Sequence, residues 1–187
     1  MLLKLYEFML AKKIKILPKH VVVIDSGDLD LHSFIRFVSW CKNFNIKEIT
    51  LCCENDLKLE RVEGYKIRKI KNGNVQEYGE GHGVLNIVCG YDGKEELVNA
   101  LRELAKLVAK GKMEPDEVDE KTIESLLSIR SQPDLIIKVG NELPNFLIWQ
   151  SVYSELYFAD IDWKSFRYVD FLRILREYQR RERRYGR

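Results

Sequence analysis

Nowhere in the 187 residues is there a Cys-x-x-Cys pair or a Cys/His grouping at zinc spacing; the four cysteines stand at 41, 52, 53 and 89. The common structural zinc frameworks are thereby excluded, and the thiols read as reduced and buried, which suits a cytoplasmic protein. Neither charge dominates, with 31 Lys+Arg against 29 Asp+Glu. A net charge of +2 is too small for a chain that coats a polyanion, and nucleic-acid binding finds no support outside the last few residues. No apolar run is long enough to span a bilayer. The opening stretch "MLLKLYEFMLAKKIKILPKH" is interrupted by Lys4 and Glu7, and no small-residue cleavage site follows it, so it does not read as a secretory signal. It predicts an N-terminal helix within residues 1–18 that packs on its own domain or touches a membrane surface shallowly. The glycines of "GEGHG" (79–83) lack a dinucleotide-binding spacing, and the three histidines, His20, His32 and His82, have no carboxylate or cysteine arrangement beside them. No chemistry is assigned to either. No repeat, low-complexity tract or linker divides the chain, which fits one domain spanning 1–187.

What is present is an alternation of short apolar runs and helical stripes. "HVVVID" (20–25), "KEITLCC" (47–53), "VLNIVC" (84–89) and "PDLIIKV" (133–139) read as buried strands. Between the first two, Leu31, Phe34, Ile35, Val38 and Cys41 form one helical stripe. Strand, helix and strand over so short a stretch make a βαβ unit, hence a parallel sheet. Asn72-Gly73 between short alternating runs predicts a hairpin. A long helix over 94–110 has Leu97, Leu101, Leu104 and Val108 as its apolar face and Gly111 to end it. A shorter helix follows Asp119 as its cap, and a last one over 166–181 is anchored by Val169, Leu172, Leu175 and Tyr178. The fold class is therefore α/β: a mostly parallel central sheet flanked by helices, with ligands bound beyond the carboxyl ends of the strands.

The last nine residues, "QRRERRYGR", hold five arginines and one glycine. Such a block is a solvated tail, a patch for anionic lipid or nucleic acid, or a phosphate site, since a guanidinium fork matches phosphate oxygens and glycine lets backbone N–H groups approach an anion.

Three stretches together resemble the cis-prenyltransferases, the undecaprenyl and dehydrodolichyl diphosphate synthase family: "LYE" with "LPKHVVVI", then "LNIVCGYDGKEELVNALRELAK", then "PDLIIKVGNELPNFLIWQSVYSELYF" through "RRERRYG". The resemblance implies the family's fold and its reaction, addition of isopentenyl diphosphate to an allylic diphosphate with release of diphosphate. It also implies Mg²⁺, held in the family by an Asp just after the first strand, and a hydrophobic tunnel for the growing chain. Arg184 and the N–H of Gly186 match the family's Arg-x-Gly tail, which reaches a diphosphate in the neighbouring subunit. Lys138 stands where the first arginine of the family's diphosphate loop is found. Glu155 matches a carboxylate near the metal. Asn145, Phe146, Trp149, Tyr153 and Tyr157 lie in the dimer-forming region.

Four departures accompany the resemblance. Anchored on His20-Val21, the register puts Ser26 at the metal-binding Asp, whereas a shift of one residue puts Asp25 there. The diphosphate loop is shortened to "KVGNELPNF". The tunnel-lining segment after "TLCCEND" is replaced by fewer than thirty residues with a hairpin, and the linker after Gly27 is short. A chain without its own metal ligand and tunnel, but with the donated tail, is expected to be a non-catalytic accessory subunit similar to the Nogo-B receptor type. It would pair in a heterodimer or heterotetramer with a catalytic subunit that makes long polyprenyl diphosphates, hold Mg²⁺ only in that partner's site, and touch isopentenyl diphosphate through its tail. The alternatives are a homodimeric cis-prenyltransferase acting on short substrates with Asp25, Asp28 or Glu155 for Mg²⁺, and a scaffold that keeps the fold but binds no prenyl diphosphate.

Overall fold

The computed structural model describes residues 2–25, 27, 29–71, 74–90, 92–139, 147–159 and 162–181. Helix α1 (Leu2–Lys13) precedes β1 (His20–Ile24), α2 (Leu31–Asn43) and β2 (Glu48–Cys53). Then come β3 (Tyr65–Lys71), β4 (Asn74–Tyr78), β5 (Gly83–Cys89) and α3 (Gly93–Ala109). The chain closes with α4 (Glu120–Ser125), β6 (Leu135–Val139), β7 (Glu155–Ala159) and α5 (Tyr168–Arg180). Seven strands form one sheet in the order β4-β3-β5-β2-β1-β6-β7. Every pairing is parallel except that of β3 with β4.

The four strands expected from apolar runs are all present, because a parallel strand covered on both faces has no polar side to show in its sequence. β1 and β6 are buried along their whole length. The hairpin forms as expected, its strands meeting at Lys71 and Asn74. The crowding of glycines after it is steric: a Cβ on Gly83 would stand 2.5 Å from the Tyr65 ring and 2.9 Å from the Lys47 carbonyl.

Pleating sorts the sheet into two faces. On one, Val21, Val23, Ile49, Leu51, Leu85, Ile87, Leu135 and Ile137 meet α1, α2 and α5 in the larger core. Phe34 and Phe37 of α2, Phe171 of α5 and the loop residues Trp163 and Phe166 pack there with ring centroids 5.5–6.3 Å apart. Each such ring contributes about 1.5–3 kcal/mol through burial. The opposite face carries a smaller cluster of Val22, Ile24, Cys52, Ile70, Val88, Ile129, Ile136 and Leu147.

Two helical faces differ from expectation by one position. In α2 Phe37 is buried while Ile35 is exposed. In α3 Ala100 and Leu104 face the sheet, and Leu101 is 55% exposed, because a small residue lets the helix approach where a leucine would hold it off. Strand β7 was not expected at all.

The amino half of the second face carries a buried polar row. His20 Nε2 lies 2.8 Å from Thr50 Oγ1, Asn86 Nδ2 donates to Thr50 Oγ1 and Glu48 Oε1, and Arg68 donates to Asn86 Oδ1. Burial holds the His20 pKa below its ordinary value, against the raising influence of Glu48 and Asp134. The folded state therefore takes up its proton later than the unfolded chain. Stability is full above about pH 6.5 and falls as pH drops from there through the lowered folded value, by at most about 1.4 kcal/mol per pH unit. Urea unfolding from pH 7.5 to 5 should show this fall, and His20→Gln should flatten it; an unchanged slope in that variant would place the titration elsewhere.

Candidate active site at the carboxyl end of the sheet

Asp25 follows β1 directly, and its N–H donates to the Cys52 carbonyl at 2.9 Å, extending the sheet by one bond. Its side chain is 6% exposed. Oδ1 accepts from Trp163 Nε1 at 2.8 Å and Oδ2 accepts from the Gly27 N–H at 2.8 Å. Gly27 has φ +112, a conformation that glycine enters freely, and that turn brings its N–H onto the carboxylate. Trp163 is locked in turn by Phe34, Phe37 and Phe166. A buried carboxylate with two fixed donors is held in one orientation. The loop then enters α2 through Asp30, whose carboxylate accepts from the Ser33 N–H at 2.9 Å.

Lys138, the penultimate residue of β6, is in register with Ile24, so it stands at the same end of the sheet as Asp25. It is 4% exposed and donates from Nζ to the Val139 carbonyl. Alternation along the strands sends the two side chains to opposite faces. Cys53 and Cys89, paired in register, lie nearby with sulfurs 3.5 Å apart; burial pushes the Cys53 thiol pKa up.

Glu155 is not brought to this end. It opens β7 opposite Leu135, at the amino end of the sheet, and its Oε2 is 3.5 Å from an Arg181 nitrogen. Arg181 also donates to the Leu156 carbonyl at 2.6 Å and lies over the Tyr157 ring. The arginine block thus begins by folding back on β7, away from Asp25. Of the dimer-region residues, Tyr153 is 52% exposed and Trp149 and Tyr157 are half-buried; Val152 and Phe158 beside them are exposed. His20 serves the buried row above, and His32 and His82 are surface residues. Ser26, Asp28, Asn145, Phe146, Arg184 and Gly186 lie outside the described residues.

Trp163 was not singled out by the sequence reading. It is 138 residues from Asp25, and nothing in local spacing joins them.

Asp25 suits a hard divalent cation. An ionised carboxylate has about four acceptor positions, two of which are used here. Mg²⁺ is commonly held by one or two carboxylates, with water and substrate phosphate oxygens supplying the remainder. Among the described residues there is no cluster of three His, Cys, Asp or Glu side chains able to hold a metal without such help. On the second face, opposite the Asp25 side chain, a cavity of about 330 Å³ opens between β5 and α3 and is walled by Ile70, Val88, Cys89, Ala100 and Leu126, with Glu95 and Glu96 at its rim.

A family model described as "Putative undecaprenyl diphosphate synthase" matches residues 58–186, well over half of the chain. The chain belongs to that family. A synthase of Pyrococcus horikoshii named "Tritrans,polycis-undecaprenyl-diphosphate synthase (geranylgeranyl-diphosphate specific)" is 29% identical over an alignment of 245 positions that takes in 98% of this chain and 93% of the relative. A Methanopyrus kandleri protein of the same name is 48% identical over 107 residues, 55% of this chain. That matched segment spans only 40% of the relative's length. Among solved structures, lavandulyl diphosphate synthase from Lavandula x intermedia aligns with TM-score 0.75 at 21% identity, covering 91% of this chain and 98% of that one. A probable undecaprenyl diphosphate synthase from Campylobacter jejuni gives TM-score 0.70 at 23% identity, covering 92% and 100%. Both establish the prenyltransferase fold.

These relatives overturn the accessory-subunit expectation. Proteins aligned with nearly the whole of this chain are named as synthases, and none of those names denotes a non-catalytic or heteromeric partner. That expectation rested on Ser26, which lies outside the described residues, standing at the metal position; Asp25, one position earlier, is a carboxylate fixed at the strand end. No helix among the described residues is long and apolar enough to cross a membrane.

Proposed function

We propose that this protein is an active prenyl diphosphate synthase that adds isopentenyl diphosphate to a short allylic diphosphate, working as a homodimer in the cytoplasm. The observation that carries this reading is the full-length similarity to named synthases, together with the presence of Asp25 at the carboxyl end of β1. The short-substrate part rests on length: a short stretch with the hairpin β3–β4 stands where the resembled family has a tunnel-lining segment.

Asp25 and phosphate oxygens of the substrate would hold Mg²⁺, which when bound neutralises the departing diphosphate. Trp163 Nε1 and the Gly27 N–H both donate to the Asp25 carboxylate and hold it in one orientation. Lys138 stands at the same strand end but on the opposite face, its Nζ held by the Val139 carbonyl. The aromatic packing beneath Trp163 keeps water away from the back of the carboxylate. The tail beginning at Arg181 leaves from the β7 edge, beside exposed Val152, Tyr153 and Phe158, and in a two-fold dimer Arg184 and the Gly186 N–H of one copy serve the diphosphate site of the other.

Subunit mixing tests both the activity and the sharing. Asp25→Asn and a chain ending at Arg181 should each be nearly inactive. Their mixture, reassorted into hybrid dimers, should recover activity in roughly a quarter of all sites, because each hybrid holds one complete site. No activity in the parent protein would refute the synthase reading; an active parent without recovery in the mixture would refute the shared site alone.

A further inference from the structure

The inner side of α1 is narrow. Leu10 is buried, and Ala11 and then Ile14 pack with it against α5. The helix is nevertheless apolar almost all round. Leu2 is 81% exposed, Leu5 and Phe8 56% each and Met9 47%, and Leu3 and Tyr6 are exposed as well. Leu2 and Tyr6, like Leu5 and Met9, stand four residues apart and share a side. The outward side of α1 is thus apolar as well as the inward one, and a contiguous exposed patch of this kind marks an interaction surface.

The charge around the patch identifies its occupant. Residues 2–19 hold five lysines, Lys4, Lys12, Lys13, Lys15 and Lys19, against one acid, Glu7, whereas the chain as a whole is nearly balanced. All five lysines are exposed and Glu7 is half-buried. Lys12 and Lys13 follow Met9 at spacings of three and four, and the Lys12 ammonium lies 4.4 Å from the centre of the Phe8 ring. A second copy laid face to face on this surface would oppose lysine to lysine.

We propose that α1 seats the protein on the surface of an anionic lipid bilayer. Leu2, Leu5, Phe8 and Met9 enter the boundary between headgroups and acyl chains, and the lysines remain at the level of the lipid phosphates. Twelve residues of helix extend about 18 Å, too short to span and long enough to lie in the plane. This surface is independent of Asp25 and of the reaction proposed above.

Flotation of the full chain with vesicles decides the matter. Vesicles containing roughly one-third phosphatidylglycerol in phosphatidylcholine should bind on the order of tenfold more protein than phosphatidylcholine alone. The preference should collapse near ~1 M salt. Leu5→Ser/Phe8→Ser/Met9→Ser should abolish binding to both, and Lys4→Glu/Lys12→Glu/Lys13→Glu should remove the preference, each with an unchanged circular dichroism spectrum. Absence of flotation, or equal binding to both vesicle types, overturns the proposal. So does a triple-serine variant that lowers the oligomeric state without altering flotation, which would assign the face to a second copy.

Discussion

Replacing Asp25 by Asn should lower turnover on the order of a thousandfold, equivalent to about 4 kcal/mol of lost transition-state stabilisation. The substitution nearly preserves shape. An Asn oxygen still accepts from Trp163 Nε1, as Asp25 does now at 2.8 Å, so the fold should hold. What disappears is the negative charge that would face the cation. The Gly27 N–H, now donating to Oδ2, loses its acceptor as well, which disturbs the turn into α2. Steady-state kinetics with saturating Mg²⁺ check this, with thermal unfolding as control. Turnover within threefold of the parent would remove Asp25 from the reaction.

Trp163 should show the second large effect, divided between stability and catalysis. It is 1% exposed and meets Phe34, Phe37 and Phe166 edge-on at 5.8–6.2 Å. Trp163→Ala should therefore destabilise the fold by about 3–5 kcal/mol. Trp163→Phe keeps most of the packing and removes only the N–H that holds Asp25. Its stability loss should be smaller, about 1–3 kcal/mol for an unsatisfied buried carboxylate oxygen. Its turnover should fall by more than its substrate affinity, since the residue positions Asp25 and touches no substrate. Urea unfolding and kinetics on the same preparations separate the two terms; a Phe variant with parent-like turnover would reduce Trp163 to a core residue.

Much of the architecture could be read from residues because parallel strands buried on both faces advertise themselves. β1, β2, β5 and β6 are runs of Val, Ile, Leu and Cys with few interruptions. Strand β7, "ELYFA", lies at the edge of the sheet, is buried on neither side, and has aromatics that fit a helix or an interface equally well. The errors in α2 and α3 share a cause. Period counting weighted leucine and isoleucine above phenylalanine and alanine, while packing selected Phe37 and Ala100 by shape.

The candidate site was half legible. Asp25 could be seen as a carboxylate at a strand end, while the register anchored on His20-Val21 put Ser26 at the metal position; a sequence register carries no information about which side chain is fixed. That information resides in the Trp163 and Gly27 hydrogen bonds, which only tertiary structure supplies. Glu155 shows the reverse: its place in the sequence pattern suggested a metal, but the parallel register of β7 with β6 puts it at the amino end beside Arg181.

Unaided lengthening of an allylic diphosphate by this chain is what separates a synthase from an accessory subunit. Its most direct measurement is mass spectrometry of the organic-phase product after the purified protein is incubated with Mg²⁺, isopentenyl diphosphate and, in separate reactions, dimethylallyl or geranylgeranyl diphosphate. Prenyl diphosphates longer than the primer by a few five-carbon units should appear, and should be absent from the Asp25→Asn preparation. Recovery of every allylic primer unchanged would contradict the synthase reading.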